Sequence, residues 1–85
     1  MAIEILYFAW VREAVGCDGE TISPPETVIV VADLLDWLSA RSEAHGRALA
    51  DRGRLRVAID QGFAALDAPI SGAREIAIFP PVTGG

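Results

Sequence analysis

The amino-acid sequence predicts an α+β fold, a mixed sheet of about five strands with one principal helix on one face. Three observations lead there. Apolar residues alternate with polar ones near both ends of the chain and again around residue 57, the period-two pattern of strands. One stretch carries a long apolar stripe at helical spacing, Val31, Leu34, Leu35 and Leu38. At 85 residues the chain has room for a single small core, so strands and helix must bury their apolar sides against each other.

Each element has a local reason. Ile3, Ile5 and Tyr7 alternate with Glu4, Leu6 and Phe8, and both faces turn apolar toward the end, as in a central strand. Residues 10–15 form a short helical turn closed by Gly16 and the turn-rich Cys17-Asp18-Gly19. A second strand follows over 20–23, ended by Pro24-Pro25, and β-branched residues keep 27–30 extended or irregular. The principal helix spans 31–41, with Asp33 early and Arg41 late in the sense the helix dipole favours, although Val30 is a poor N-cap. Residues 42–51 make a second short helix with Ala44, Ala48 and Leu49 inward, weakened by Gly46 and ended by Gly53. Leu55, Val57 and Ile59 then alternate with Arg54, Arg56, Ala58 and Asp60 in a strand with one wet face. Gln61-Gly62 turns the chain, 63–66 is a short strand, and turns at Asp67-Ala68-Pro69 and Ser71-Gly72 lead to a last strand over 75–79. The first and last strands are the most apolar and therefore pair at the centre.

Composition narrows the function. The chain is 52% hydrophobic and 22% charged, which is globular, and no apolar run is long enough to span a bilayer. Met1-Ala2-Ile3-Glu4 lacks the basic start and apolar stretch of a signal peptide, so a cytoplasmic location is expected. A net charge of −5 argues against nucleic acid or an anionic membrane as partner and favours a basic partner surface. The single Cys17 allows no internal disulfide and no four-thiolate cluster, and His45 has no Cys or His at metal-ligand spacing, so no metal site is expected. Neither joins a triad, and there is no phosphate-cradling glycine motif, so no independent active site is expected.

The chemistry concentrates at the end of the chain, Phe79-Pro80-Pro81-Val82-Thr83-Gly84-Gly85. Pro80 and Pro81 fix φ and lack amide hydrogens, which stops sheet pairing and divides a domain over 1–81 from a flexible tail over 82–85. Four tail residues reach about 13 Å at roughly 3.3 Å each. Gly84 and Gly85 can run through a passage too narrow for any side chain, and an activated glycyl carboxyl has no stereocentre to epimerise. All seven basic side chains are arginine, so a chain able to pass its carboxyl to an amine offers no lysine to receive one.

This ending, together with Phe8-Ala9-Trp10-Val11-Arg12-Glu13, resembles the small subunits of molybdopterin synthase, sulfur carriers of the ubiquitin-like β-grasp group, along the whole chain. Two places depart from that family: Ala73-Arg74 stand where an acidic pair is common, and Asp60 where Asn is common. The resemblance implies a ubiquitin-like β-grasp whose Gly85 carboxylate is adenylated by a ubiquitin-activating-like adenylyltransferase using ATP. A persulfide sulfur donor would convert the adenylate to a thiocarboxylate. The large subunit of the synthase would then take the tail, reading Val82, Thr83 and Gly84, and the sulfur would pass to the pterin precursor. No cofactor is bound by the carrier itself. Carriers for thiazole or tRNA thiolation share this chemistry with another acceptor, a ubiquitin-like modifier would form isopeptide bonds instead, and a binding domain would use only its surface.

Partner contacts are expected from Phe8, Phe63 and Phe79. If Ile3, Ile5, Tyr7, Ile76 and Ile78 face the helix, Leu6, Phe8, Ala77 and Phe79 face the other way. With Phe63 the phenylalanines would form an apolar patch at the root of the tail; otherwise they finish the core. By family likeness Arg12 contacts an acidic partner group; alternatively it is a solvated turn residue. Arg52, Arg54 and Arg56 read as helix-end complementarity and a wet strand edge. Trp10 and Trp37 read as packing, Cys17 as an inert loop thiol, and His45 as a solvent-exposed structural residue.

Overall fold

A computed structural model describes residues 2–81. In chain order the elements are β1 (Ile3–Tyr7), α1 (Ala9–Val15), β2 (Gly19–Ile22), α2 (Val31–Ser39), α3 (Glu43–Ala48), a single 3₁₀ turn (Arg52–Arg54), β3 (Arg56–Ile59), β4 (Gly62–Ala64) and β5 (Glu75–Phe79). The strands form one five-stranded sheet in the order β2-β1-β5-β3-β4. Among the described residues only the central pair, β1 with β5, is parallel, and the other strand pairings are antiparallel. This is the α+β, β-grasp arrangement expected from the sequence, with the first and last strands side by side.

The alternation in the strands decides where the core lies. Ile3, Ile5 and Tyr7 on β1, Ile76 and Ile78 on β5 and Val57 on β3 are buried together with Val31, Leu34, Leu35 and Leu38 of α2. Val11 and Val15 of α1 and Ala48 and Leu49 at the end of α3 complete this cluster. Trp10 and Trp37 pack against its edge, as expected. Because valine has no side-chain acceptor, Val30 cannot cap α2. The Asp33 carboxylate instead reaches back to accept from the Ile29 and Val30 N–H groups, each at 3.1 Å. Two further N–H groups of the first turn, those of Val31 and Ala32, donate to the carbonyls of Ala68 and Leu66. Tertiary contacts thus satisfy the donors that a poor N-cap leaves open.

Several boundaries differ from the sequence reading. α2 stops at Ser39, where the following N–H groups turn to tighter bonds: Ala40 to Trp37 and Arg41 to Leu38. β2 begins one residue early at Gly19, where a Cβ would meet the Ile5 carbonyl at 2.8 Å, so only glycine lets that strand lie close to β1. β3 starts at Arg56 because residues 52–54 coil first. The β3–β4 turn falls on Asp60-Gln61 rather than Gln61-Gly62: both have positive φ, 48° and 75°, and Gly62 already pairs with Ile59. Left-handed backbone at both turn residues matches the twist of a two-residue hairpin. β4 ends at Ala64, two residues short of the expected strand.

Candidate functional site

The face of the sheet turned away from α2 carries an open aromatic surface at the end where the chain leaves for its terminus. The register places Leu6, Ala77, Ala58 and Phe63 side by side across β1, β5, β3 and β4. One step nearer the diproline, Phe79 lies opposite Arg56, and the Phe8 N–H donates to the Ile78 carbonyl, which brings Phe8 alongside the end of β5. The rings of Phe63 and Phe79 stand 5.9 Å apart between centroids, a tilted aromatic pair. Phe63 is 85% exposed and Phe8 45% exposed, while Phe79 is half-buried. The core alternative is thereby excluded for Phe63 and Phe8.

Two shallow concavities flank these rings. Phe63, Phe79, Arg56, Val57 and Ala64 line one of about 350 Å³. Trp10, Gly53, Arg54, Pro80 and Pro81 line another of about 370 Å³, with the Arg54 guanidinium 4.9 Å above the Trp10 ring. Their size sits at the low end for small-molecule sites, and open walls suit side chains of a protein partner better than an enclosed substrate. The opposite end of the same face is acidic: Glu4 pairs with Glu75, and the Asp60 N–H donates to the Glu75 carbonyl. Asp60 Oδ1 also accepts from the Arg74 and Glu75 N–H groups at 3.0 and 2.9 Å, fastening the hairpin to β5.

A second polar cluster, unforeseen in the sequence, sits on the helix-covered side. Glu20 of β2 accepts from the Tyr7 hydroxyl and from His45 Nε2, each at 2.7 Å, and lies 3.4 Å from the Arg41 guanidinium. Ser42 Oγ caps α3 by accepting the His45 N–H at 3.1 Å and meets His45 Nδ1 at 2.7 Å. Nε2 donates to the carboxylate, while Nδ1 and the Ser42 hydroxyl face each other at hydrogen-bond distance, so both ring nitrogens are engaged. Burial opposes ionisation of Glu20, but the hydrogen bonds from His45 and Tyr7 and the charges of His45 and Arg41 outweigh it and hold the carboxyl below its ordinary value. Burial, and then the bond to Glu20, push the Tyr7 hydroxyl far above the usual tyrosine range.

The expectation of a solvent-exposed His45 is therefore corrected: its side chain is only 13% exposed, drawn in by Glu20. A signal existed, since Glu20 shares a strand face with buried Ile22 and a carboxylate there requires partners. Arg12 is exposed in the last turn of α1, and among the described residues it has no ion pair. Cys17 is exposed. Arg52 does bond the end of α3, through the Leu49 carbonyl at 2.7 Å, and pairs with Asp36 at 3.0 Å. Val82, Thr83, Gly84 and Gly85 lie outside the described residues. No group of side chains fit to hold a metal ion occurs among the described residues, and no helix there is long and apolar enough to cross a membrane.

Comparison with known proteins gives consistent matches. The model of the ThiS family matches residues 5–85. The molybdopterin synthase sulfur carrier subunit of Escherichia coli (strain K12) is 37% identical over 83 residues, covering 98% of this chain and 99% of that protein. The subunit of the same name from Haemophilus influenzae is 34% identical over 83 residues, with the same coverage. Among solved structures, small archaeal modifier protein 1 of Haloferax volcanii superposes with a TM-score of 0.71 at 28% identity, covering 95% of this chain and 98% of that one.

Proposed function

This chain belongs to the ThiS family, and from that premise we propose that it is a sulfur carrier, the small subunit of a molybdopterin synthase. The observation that carries the reading is the open face of Phe8, Phe63 and Phe79 at the end of the sheet where Pro80-Pro81 lead to Gly84-Gly85. A partner gripping that face holds the root of the tail, so recognition and delivery occur at one end of the domain.

The chain itself supplies a tethered substrate. Adenylation by an ATP-using, ubiquitin-activating-like enzyme makes the Gly85 carboxylate electrophilic. The terminal sulfur of a persulfide donor attacks the acyl-adenylate and displaces AMP, giving an acyl disulfide. A second thiol cleaves that disulfide at the donor's sulfur, releasing the thiocarboxylate and leaving the two thiols joined as a disulfide. The large subunit then takes up the tail, with Val82, Thr83 and Gly84 read along the way and Arg12 as a further contact, and the sulfur passes to the pterin precursor. Tethering raises the effective concentration of sulfur at the acceptor. The ATP chemistry and the acceptor pocket belong to the partner proteins.

The test is intact mass after incubation with the activating enzyme, ATP, a persulfide donor and a thiol reductant. The expected result is a gain equal to the difference between sulfur and oxygen, confined to the C-terminal peptide. An unchanged mass would overturn the reading. A second reading, a modifier joined to target lysines, is favoured by the likeness to an archaeal modifier protein. It requires conjugates of higher mass in place of the thiocarboxylate. A thiocarboxylate that reaches a thiazole synthase or a tRNA-thiolating enzyme, and not the synthase subunit, would reassign the acceptor.

A further inference from the structure

We infer that the partner surface that docks on the aromatic face is rimmed by carboxylates, which Arg54 and Arg56 recognise; this rests on the reading that Phe8, Phe63 and Phe79 form the docking face. The net charge of −5 suggested a basic partner, but charge is not spread evenly over the sheet. Glu4, Glu75 and Asp60 lie at the end remote from the diproline. Arg56 faces Phe79 across the β3–β5 pair, and Arg54 shares a concavity with Pro80 and Pro81. The tail root is therefore basic on an acidic chain.

Both guanidinium groups are held in place without being neutralised. Arg41 and Arg52 are paired with Glu20 and Asp36. Arg54 and Arg56 form no ion pair among the described residues. The nearby Asp51 carboxylate accepts from the Gly53 N–H. Arg54 lies on the Trp10 ring at 4.9 Å, and Arg56 Nη1 donates to the Leu55 carbonyl at 2.8 Å and the Gly53 carbonyl at 3.4 Å. A side chain already ordered loses less entropy on binding, and a guanidinium fork matches a carboxylate through two parallel bonds. A polyanion could meet the same two arginines, but the negative charge elsewhere on the chain repels an extended phosphate backbone. A protein surface with local carboxylates fits both the apolar rings and the two cations.

The experiment measures binding of the full chain to the purified large subunit of the synthase at low and high salt, with each variant's fold checked by circular dichroism. R54E/R56E is expected to slow association about tenfold at low salt and to flatten its salt dependence. R54Q/R56Q gives a smaller loss, tests the idea should the reversal variant not fold, and contrasts with R54K/R56K, which retains most of the rate. Association of the glutamate and glutamine variants at the wild-type rate would overturn the inference, as would a faster rate for R54E/R56E, the mark of a basic partner rim. Phe63→Asp separates the two ideas: if it abolishes binding while the arginine variants bind normally, the docking face stands and the acidic rim falls. If Phe63→Asp binds normally, the docking face itself is wrong.

Discussion

Ile78 and Phe79 are neighbours on β5, yet Ile78 is fully buried beneath the helices while Phe79 lies half-buried on the open face against Phe63. The same contrast holds along β1, where Tyr7 is 1% exposed and Phe8, the next residue, 45%. One period-two pattern thus distributes apolar side chains to two faces with different work. Those on the helix side contribute stability by leaving water, whereas a phenylalanine left 85% exposed gains little from folding. The strongest test of this division compares Ile76→Ala with Phe63→Ala by urea unfolding. Ile76→Ala is expected to cost about 2–5 kcal/mol, a large share of the roughly 5–10 kcal/mol available to such a domain. Phe63→Ala should stay within about 0.5 kcal/mol of wild type. Equal losses would mean that the open face is structural after all.

Polar groups divide in the same way. On the open face Arg54 and Arg56 form no ion pair among the described residues, whereas on the helix side Tyr7, His45 and Arg41 all converge on Glu20. That cluster ties β2 to the segment entering α3 and should make the fold acid-sensitive. The folded Glu20 carboxyl titrates below its ordinary value of 4.5. Its contribution is therefore complete above that value and is lost as pH falls through the lower, folded value. Unfolding free energy measured against pH should drop over that acid window, and Glu20→Gln should be less stable at neutral pH with a shallower acid slope. An unchanged slope in Glu20→Gln would remove Glu20 as the source.

The parts of this picture legible in the sequence were those written in short-range pattern. Strand alternation placed Ile3, Ile5, Tyr7, Ile76 and Ile78 inward and Phe8 and Phe79 outward, and helical spacing placed Leu34, Leu35 and Leu38 in the core. What stayed hidden depends on residues distant in sequence. Glu20 meets His45 only after β2 and α3 have been brought together, and the Val31 and Ala32 N–H groups find their acceptors some 35 residues away at Ala68 and Leu66. Arg54 looked like a strand residue because the Arg-Leu-Arg-Val alternation continues through it; the 3₁₀ turn at Arg52–Arg54 instead carries it to Trp10. The basic character of the tail root followed from that turn, and net charge alone pointed the other way.

The smallest expected effects lie at the acidic end of the open face, and they separate stability from docking within that face. Asp60 and Gln61 both adopt left-handed backbone, and Asp60 Oδ1 ties their turn to β5 through two N–H groups. Asp60→Ala removes both bonds and should cost about 1–2 kcal/mol, while Asp60→Asn keeps an acceptor and the same turn tolerance and should nearly match wild type. Gln61→Gly should stabilise by about 0.5 kcal/mol, because a φ of 75° strains any side chain and glycine adopts it freely. None of the three should change the affinity for the large subunit, since the hairpin tip lies at the far end of the sheet from the diproline. A loss of binding in Asp60→Asn, at unchanged thermal stability, would extend the docking surface along the whole open face and end its division into an aromatic end that binds and an acidic end that braces the fold.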